Sequence, residues 1–231
     1  MSRGKGPCLT SELFSYMRDL KRHNDRDWFL ANKARYERAV RAPALQFIAD
    51  FEPHLRKISK EFLAIARPVG GSLFRIQRDI RFSKDKSPYK DHVGIRFLHK
   101  DAKNVHAPVF YLHLQPKGSF AGFGVWHPEP PALAKIRQAI VDDSSGFRKV
   151  VDAAAFRKRF NRDGDSLKRP PRGFDPEHPL VEELKRKDHV GTCPLTDKDI
   201  VAAGFDRRLA QIFQAAIPFQ RYLCRALGVG F

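Results

Sequence analysis

The short connections between four strand-like segments constrain this fold more than any other feature of the sequence. Apolar and polar residues alternate at 74–82 and 93–97, and "VFYLHLQ" (109–115) and "SFAGFGVW" (119–126) predict two further strands. Their connections, such as "SKDKSP" and "PKG", are loops or compact turns, whereas parallel strands need helical crossovers. The sequence therefore predicts an antiparallel four-stranded meander.

Helical periodicity replaces this alternation on both sides of the predicted meander. "HNDRDW" interrupts the N-terminal pattern, so a second helix is expected to begin near Asp25, and Pro43 suits the first turn of a third. Pro218 is expected to kink or divide the C-terminal helix. The apolar stripes include Leu13, Phe14, Met17 and Leu20 at one end, and Phe205, Leu209, Ile212 and Phe213 at the other. We expect an α+β fold, a single domain over 10–228 and a disordered tail at 1–9.

The charge of the chain favours anionic partners. The 231 residues carry 43 Lys and Arg against 26 Asp and Glu, a net charge of +17, which attracts nucleic acid, anionic membranes or phosphorylated ligands. Cys8, Cys193 and Cys224 are widely spaced, which is typical of a reducing cytoplasm and not of a disulfide framework. The sequence predicts neither a signal peptide nor a membrane span, so a cytoplasmic location is expected.

One stretch, "FRIQRDIRFSKDKSPYK" (74–90), concentrates this charge on a predicted strand and turn. Alternation places Arg78 on the same face as Phe74 and Ile76, where an unpaired guanidinium would cost several kcal/mol. Arg78 therefore needs a carboxylate, for which Asp85 is within reach if the chain folds back, or a bound anion. The sequence leaves both interpretations open.

The opposite face of the predicted strand carries Arg75, Asp79 and Arg81. This spacing fits either a surface ladder of ion pairs or a guanidinium fork for phosphate oriented by the central carboxylate. Lys86 and Lys90 lie near the turn. For Tyr89, between them, packing is favoured over stacking on a ligand.

The spacing of Arg75, Arg78, Asp79, Arg81, Phe82, Asp85, Lys86 and Tyr89 resembles the signature of an uncharacterised bacterial family, domain of unknown function 2461. The segments "NDRDWF" (24–29), "FGVWHPEP" (123–130) and "LKRPPRGFDPEHP" (167–179) resemble the same family, and the likeness covers residues 9–227. It implies a shared single-domain fold and not a reaction. A signature with this many charged positions exceeds what one ion pair requires, which favours a site.

Three functional hypotheses remain open. The first is a binding module for a phosphate-bearing anion, either nucleic acid or a nucleotide-like ligand, built from Arg75, Arg78, Asp79, Arg81, Asp85, Lys86, Tyr89 and Lys90. The second is a metal-dependent phosphoesterase using Asp79 with another acid, for which Asp101 and Lys103 offer a weak pattern. The third is a structural ion-pair motif in a protein-interaction domain. The cofactor is left unknown, and no metal ligand set is predicted, because His and Cys are too dispersed for zinc.

Overall fold

The computed structural model of the protein describes residues 8–102 and 106–231. The N-terminal part is helical, as expected, and Asp25 caps the second helix by accepting a hydrogen bond from the Trp28 amide at 2.8 Å. Pro43 lies in the first turn of the long helix α4. The elements are α1 (Ser11–Arg22), α2 (Arg26–Ala31), α3 (Lys33–Tyr36), a π-helical turn (Glu37–Arg41) and α4 (Ala42–Ile58).

The C-terminal half alternates helices with two short pieces of sheet. The helices are α5 (Pro130–Asp142), α6 (Ser144–Val151), α7 (Ala154–Arg159), α8 (Val181–Lys185), α9 (Asp197–Val201), α10 (Phe205–Ala215) and α11 (Ile217–Leu227). Pro218 divides the last two, because it occupies the first turn of α11. None of the helices in the described ranges combines the length and apolar character that a bilayer crossing requires.

Within residues 8–102 and 106–231, six strands form one antiparallel sheet, where the sequence had predicted a four-stranded meander. They are β1 (Phe62–Leu63), β2 (Val93–His99), β3 (Val109–Leu114), β4 (Ser119–Val125), β5 (Asn161–Asp163) and β6 (His189–Leu195). Their order is β1-β2-β3-β4-β6-β5, so the expected meander from β2 to β4 is present and is extended on both sides.

The predicted strand at 74–82 is wrong. The chain meets β2 just before this segment, at an isolated bridge from Leu73 to Ile95, and the Phe74 amide donates to the Gly94 carbonyl at 2.9 Å. The segment then turns away from β2. Its apolar residues do not share a buried face, since Ile76 is 5% exposed and Phe82 is 96% exposed. Alternation alone therefore misassigned residues 74–82, because their backbone bonds go in part to residues 88–90.

Helices cover one face of the sheet. The rings of Phe97, Phe110 and Phe123 on this face contact Phe51 of α4, Phe213 of α10 and Phe219 of α11, with centroids 4.5–5.8 Å apart. The buried side chains form one continuous cluster that includes Leu9, at the end of the predicted tail. Residues 1–7 of that tail lie outside the described ranges, and the boundaries 10–228 of a single domain stay a prediction.

Candidate functional site

The charged stretch forms an irregular hairpin beside β2. Gln77 and Tyr89 form a bridge, the Arg78 amide donates to the Pro88 carbonyl at 2.9 Å, and the Lys90 amide donates to the Ile76 carbonyl at 2.8 Å. Residues 79–87 make the loop between the two arms. We call residues 74–92 the basic hairpin. Its arms hold cations from both ends of the sequence motif close together.

The corner between α1 and α2 fixes the second arm of the basic hairpin. The Asn24 side chain accepts from the Tyr89 amide and donates to the Tyr89 carbonyl, both at 3.0 Å. The Tyr89 ring is 7% exposed and stacks on Phe29 with centroids 4.1 Å apart. Tyr89 is therefore a packing residue, as favoured from the sequence, and two motif segments 65 residues apart meet here.

Arg78 and Asp85 form an ion pair across the loop, one of the two partners that the sequence had left open for Arg78. The second terminal nitrogen of Arg78 donates to Ser83 Oγ at 3.2 Å, and the Arg78 side chain is 26% exposed and not in the core. Asp85 also accepts from the Ser87 amide and hydroxyl at 2.9 and 2.6 Å. These hydrogen bonds lower the pKa of Asp85 well below its usual range. The bond from the Ser87 hydroxyl has the largest effect, and the bond from Arg78 has the next largest.

The depressed pKa of Asp85 gives a test of this loop. A carboxyl with a lower pKa in the folded state stabilises the fold above its unfolded pKa of about 4, and this contribution disappears as the pH falls through the folded value. Asp85→Asn should therefore lower the melting temperature at pH 5, and the difference from wild type should shrink towards pH 2. Exposed Asp152, which has no side-chain partner within the described residues, supplies the control Asp152→Asn. A difference that is constant over this pH range would contradict the assignment.

Asp79 and Arg81 form a second, exposed ion pair on the outside of the loop. Arg81 donates to the two Asp79 oxygens at 3.0 and 2.7 Å, and this fork lowers the pKa of Asp79. Arg75 is exposed, and its guanidinium has no hydrogen-bond or ion-pair partner among residues 8–102 and 106–231. Arg75 thus keeps its full donor capacity, whereas Arg81 is largely committed to Asp79.

The two lysines of the motif bind backbone carbonyls. Lys86 Nζ donates to the Ile80 carbonyl at 3.1 Å, and Lys90 Nζ donates to the carbonyls of Arg75 and Gln77 at 2.5 and 3.0 Å. An ammonium group has three donors, so each lysine retains at least one. Burial lowers the pKa of Lys90, and the nearby charges of Arg75 and Arg78 lower it further.

An open cleft of about 620 Å³ lies between the basic hairpin and the C-terminal end of α1. Of the predicted site residues it is lined by Arg78, Asp79, Asp85, Tyr89 and Lys90, whereas Arg75, Arg81 and Lys86 lie outside its lining. The sequence reasoning missed five lining residues: Lys21, Asn24, Ser87, Asp91 and His92. Asp91 and His92 directly continue the motif, and Asn24 begins the family-like segment "NDRDWF", so these three had a signal in the sequence, whereas Lys21 had none.

A chain of polar side chains runs from the cleft onto the uncovered face of the sheet. His92 Nδ1 lies 3.3 Å from an oxygen of Asp91, whose other oxygen accepts from the Gln115 amide at 2.8 Å. Gln115 Oε1 lies 3.3 Å from His113 Nε2, and Tyr111 Oη lies 3.2 Å from His113 Nδ1. The rings of His92 and His113 stack at 4.3 Å. Burial, and secondly the electrostatic influence of the neighbouring His92, lowers the pKa of His113 to about 4.

Asp79 and Asp101, the two acids considered for a metal-dependent phosphoesterase, lie at different ends of β2. Asp79 lines the cleft near the start of β2, whereas Asp101 follows the end of β2. The strand between these two points is about 20 Å long, at roughly 3.3 Å per residue. Lys103 lies outside the described residues.

Asp101 lies instead in a group with Glu61 and His99, whose possible ligand atoms are within 4.8 Å of one another. Both nitrogens of His99 are already used, because Nδ1 accepts from the Asp101 amide at 3.1 Å and Nε2 donates to the Gly230 carbonyl at 3.0 Å. Glu61 pairs with Lys100 at 2.5 Å. His99 and Glu61 are therefore committed to internal contacts.

Comparison with known proteins identifies a family. Neither the curated proteins nor the solved structures give a match to this chain. A family model described as "Conserved hypothetical protein (DUF2461)" matches residues 12–222, a span that contains the helical corner, the basic hairpin and every strand of the sheet. The match covers most of the chain, and the protein belongs to the DUF2461 family.

Proposed function

We propose that the cleft beside the basic hairpin binds a phosphate-bearing anion, either nucleic acid or a nucleotide-like ligand. One observation carries the proposal: Arg78 and Lys90 line the same open cleft, and Arg75, whose carbonyl accepts from Lys90 Nζ, lies just outside its lining. The charges of Arg75 and Arg78 also lower the pKa of Lys90. Like charges gathered in this way repel one another, and a bound anion relieves that repulsion.

The local charge balance supports the same proposal. The cleft lining alone is neutral, with Lys21, Arg78 and Lys90 against Asp79, Asp85 and Asp91. The surplus comes from four further cations of the hairpin, Arg75, Arg81, Lys84 and Lys86, so that this part of the surface carries a net +4. The lining carboxylates orient the cations, and the flanking cations supply the attraction for a polyanion.

Hydrogen-bond donors that are not used within the protein favour phosphate as the bound anion. Arg75 offers an unpaired guanidinium, and Lys86 and Lys90 each retain ammonium donors beyond their carbonyl contacts. A volume of about 620 Å³ is in the usual range for small-ligand sites. A cytoplasmic location is part of the proposal and is consistent with the free thiols of Cys193 and Cys224.

Binding measured against salt tests this function. Wild-type protein is titrated with inorganic phosphate, AMP and a fluorescein-labelled single-stranded oligonucleotide between 50 and 500 mM NaCl. We expect affinity to fall linearly on logarithmic axes, because bound anions replace counterions. Arg78→Met should weaken binding by about 10-fold or more, since a hydrogen bond to a charged group contributes roughly 1.5–3 kcal/mol.

Matched variants separate binding from folding. Arg169→Met removes the same charge from an exposed position in another loop and should leave affinity within about twofold. Arg78→Lys keeps the charge but loses the fork, so it should retain the fold and part of the affinity. Binding that is absent at 50 mM NaCl, or insensitive to salt, would contradict the proposal. A folded Arg78→Met protein with unchanged affinity would instead assign Arg78 a purely structural role.

A further inference from the structure

The polar chain behind the cleft fixes the protonation of its two histidines. Asp91 is a carboxylate, so the atom of Gln115 that contacts it at 2.8 Å is the amide nitrogen. Gln115 Oε1 is then an acceptor, and His113 Nε2 must carry the hydrogen between them. Neutral His113 consequently accepts the Tyr111 hydroxyl hydrogen at Nδ1. Each step follows from donor and acceptor types along the chain.

The same logic applies to His92. Its Nδ1 faces the second oxygen of Asp91 at 3.3 Å and must therefore donate. The hydrogen is on Nδ1, and Nε2 keeps its lone pair. Nε2 has no hydrogen-bond partner within residues 8–102 and 106–231, although His92 lines the cleft and its side chain is 27% exposed. An oriented imidazole with an open acceptor nitrogen is the arrangement of a general base.

Burial, more than the surrounding charges, favours the neutral form of His92. Burial lowers its pKa first, and the charges of Lys90 and Arg78 lower it further, whereas Asp91 opposes them. His113 stacks on it from β3, and Lys21 of α1 approaches Asp91 at 3.4 Å. His92 lines the same cleft as Arg78 and Lys90, two of the cations that we assign to phosphate binding, so a base at His92 would lie within the phosphate site.

We propose that the cleft is catalytic and that His92 is the general base in the hydrolysis of a phosphate ester. The inference rests on the proposed phosphate-binding function of the same cleft. A water oxygen bonds to phosphorus as the bond from phosphorus to the ester oxygen breaks, and the water proton passes to His92 Nε2. The leaving alkoxide takes a proton from solvent, and the imidazolium returns its proton to solvent. Asp91 acts as a positioning residue through its contact with Nδ1.

Hydrolysis of p-nitrophenyl phosphate and bis(p-nitrophenyl) phosphate tests the proposal. We expect turnover of at least one of them by wild-type protein, and a loss of about 10²–10⁴-fold in His92→Asn, the usual contribution of a general base. The inhibition constant of inorganic phosphate should change less than about threefold in this variant. His106→Asn, which alters an exposed histidine bonded to the Trp126 carbonyl, is purified in parallel and should retain full turnover.

Two further readouts distinguish a base from a structural residue. Asp91 raises the pKa of His92, so Asp91→Asn should shift the acid limb of the pH–rate profile to lower pH. Long-range proton–nitrogen NMR at pH 7 should show His92 neutral with its hydrogen on Nδ1. A protonated His92, or one with its hydrogen on Nε2, would overturn the proposal.

The possible failures differ for the two proposals. If inorganic phosphate binds but neither ester is hydrolysed, or if His92→Asn retains turnover, the catalytic inference fails and phosphate binding stands. If neither inorganic phosphate nor the other anions bind at low salt, the proposed function fails and the catalytic inference fails with it.

Discussion

Gly124→Ala is expected to destabilise the protein by about 4 kcal/mol, the largest loss that we expect from a single methyl group in this chain. Gly124 has φ of +112°, a conformation that costs an alanine roughly 1–3 kcal/mol. An added Cβ would also lie 2.1 Å from the His189 carbonyl oxygen of the neighbouring strand, and relief of such overpacking costs a further ~1–3 kcal/mol. Urea denaturation followed by circular dichroism at pH 7 measures the difference.

Gly122 supplies the matched control on the same strand. A Cβ there would meet only the Phe120 ring at 3.4 Å and the Tyr111 Cβ at 3.7 Å, both ordinary contacts, and its φ is not positive. Gly122→Ala should change the free energy of unfolding by less than about 1 kcal/mol. Equal losses in the two variants would contradict the close approach of β4 and β6 at Gly124.

Asn24→Ala is expected to cost about 2–3 kcal/mol of stability and to weaken anion binding at least 10-fold. The substitution leaves the amide and the carbonyl of buried Tyr89 without their 3.0 Å partners, and each unsatisfied buried group costs roughly 1–3 kcal/mol. Lys90 follows Tyr89 directly, so the cation should lose its position when this arm loosens. Thermal melts and phosphate titrations on the same samples measure both effects.

Asn32 provides the control for that substitution. Its side chain donates to the Trp28 carbonyl at 2.9 Å, a bond within the same helical region, and within residues 8–102 and 106–231 it forms no hydrogen bond with the basic hairpin. Asn32→Ala should cost less than about 1 kcal/mol and leave affinity unchanged. If Asn24→Ala behaves like Asn32→Ala, the helical corner does not position the cleft.

The elements that the sequence predicted well are those with local causes. The cap at Asp25, the division at Pro218 and the meander from β2 to β4 follow from side chains within a few residues of the feature. The Arg78–Asp85 pair was also foreseeable, since only a turn separates its partners. Interactions between residues close in sequence were therefore enough to predict the helices, three of the strands and the Arg78–Asp85 contact in the loop of the basic hairpin.

The elements that the sequence did not predict depend on contacts between residues that are distant along the chain. Strand β6 contains Gly191 and Pro194 and shows no clean alternation, because its partners β4 and β5 hold it in place. Residues 74–82 do alternate, but their backbone bonds to 88–90 compete with the sheet. The bonds from Asn24 to Tyr89 and the stack of His92 on His113 likewise join separate elements, and one sequence carries no signal for such pairs.

The strand order has a consequence for how this protein is made. β6 lies between β4 and β5, and α10 and α11 cover Phe110 and Phe123. The apolar face of the central strands is therefore not shielded until residues 189–227 have been added. During translation, a ribosome-bound chain of about 180 residues would present that face to chaperones. Productive folding is therefore expected to begin only after residues 189–227 have been synthesised, with the rate set by how quickly these late segments find the early ones.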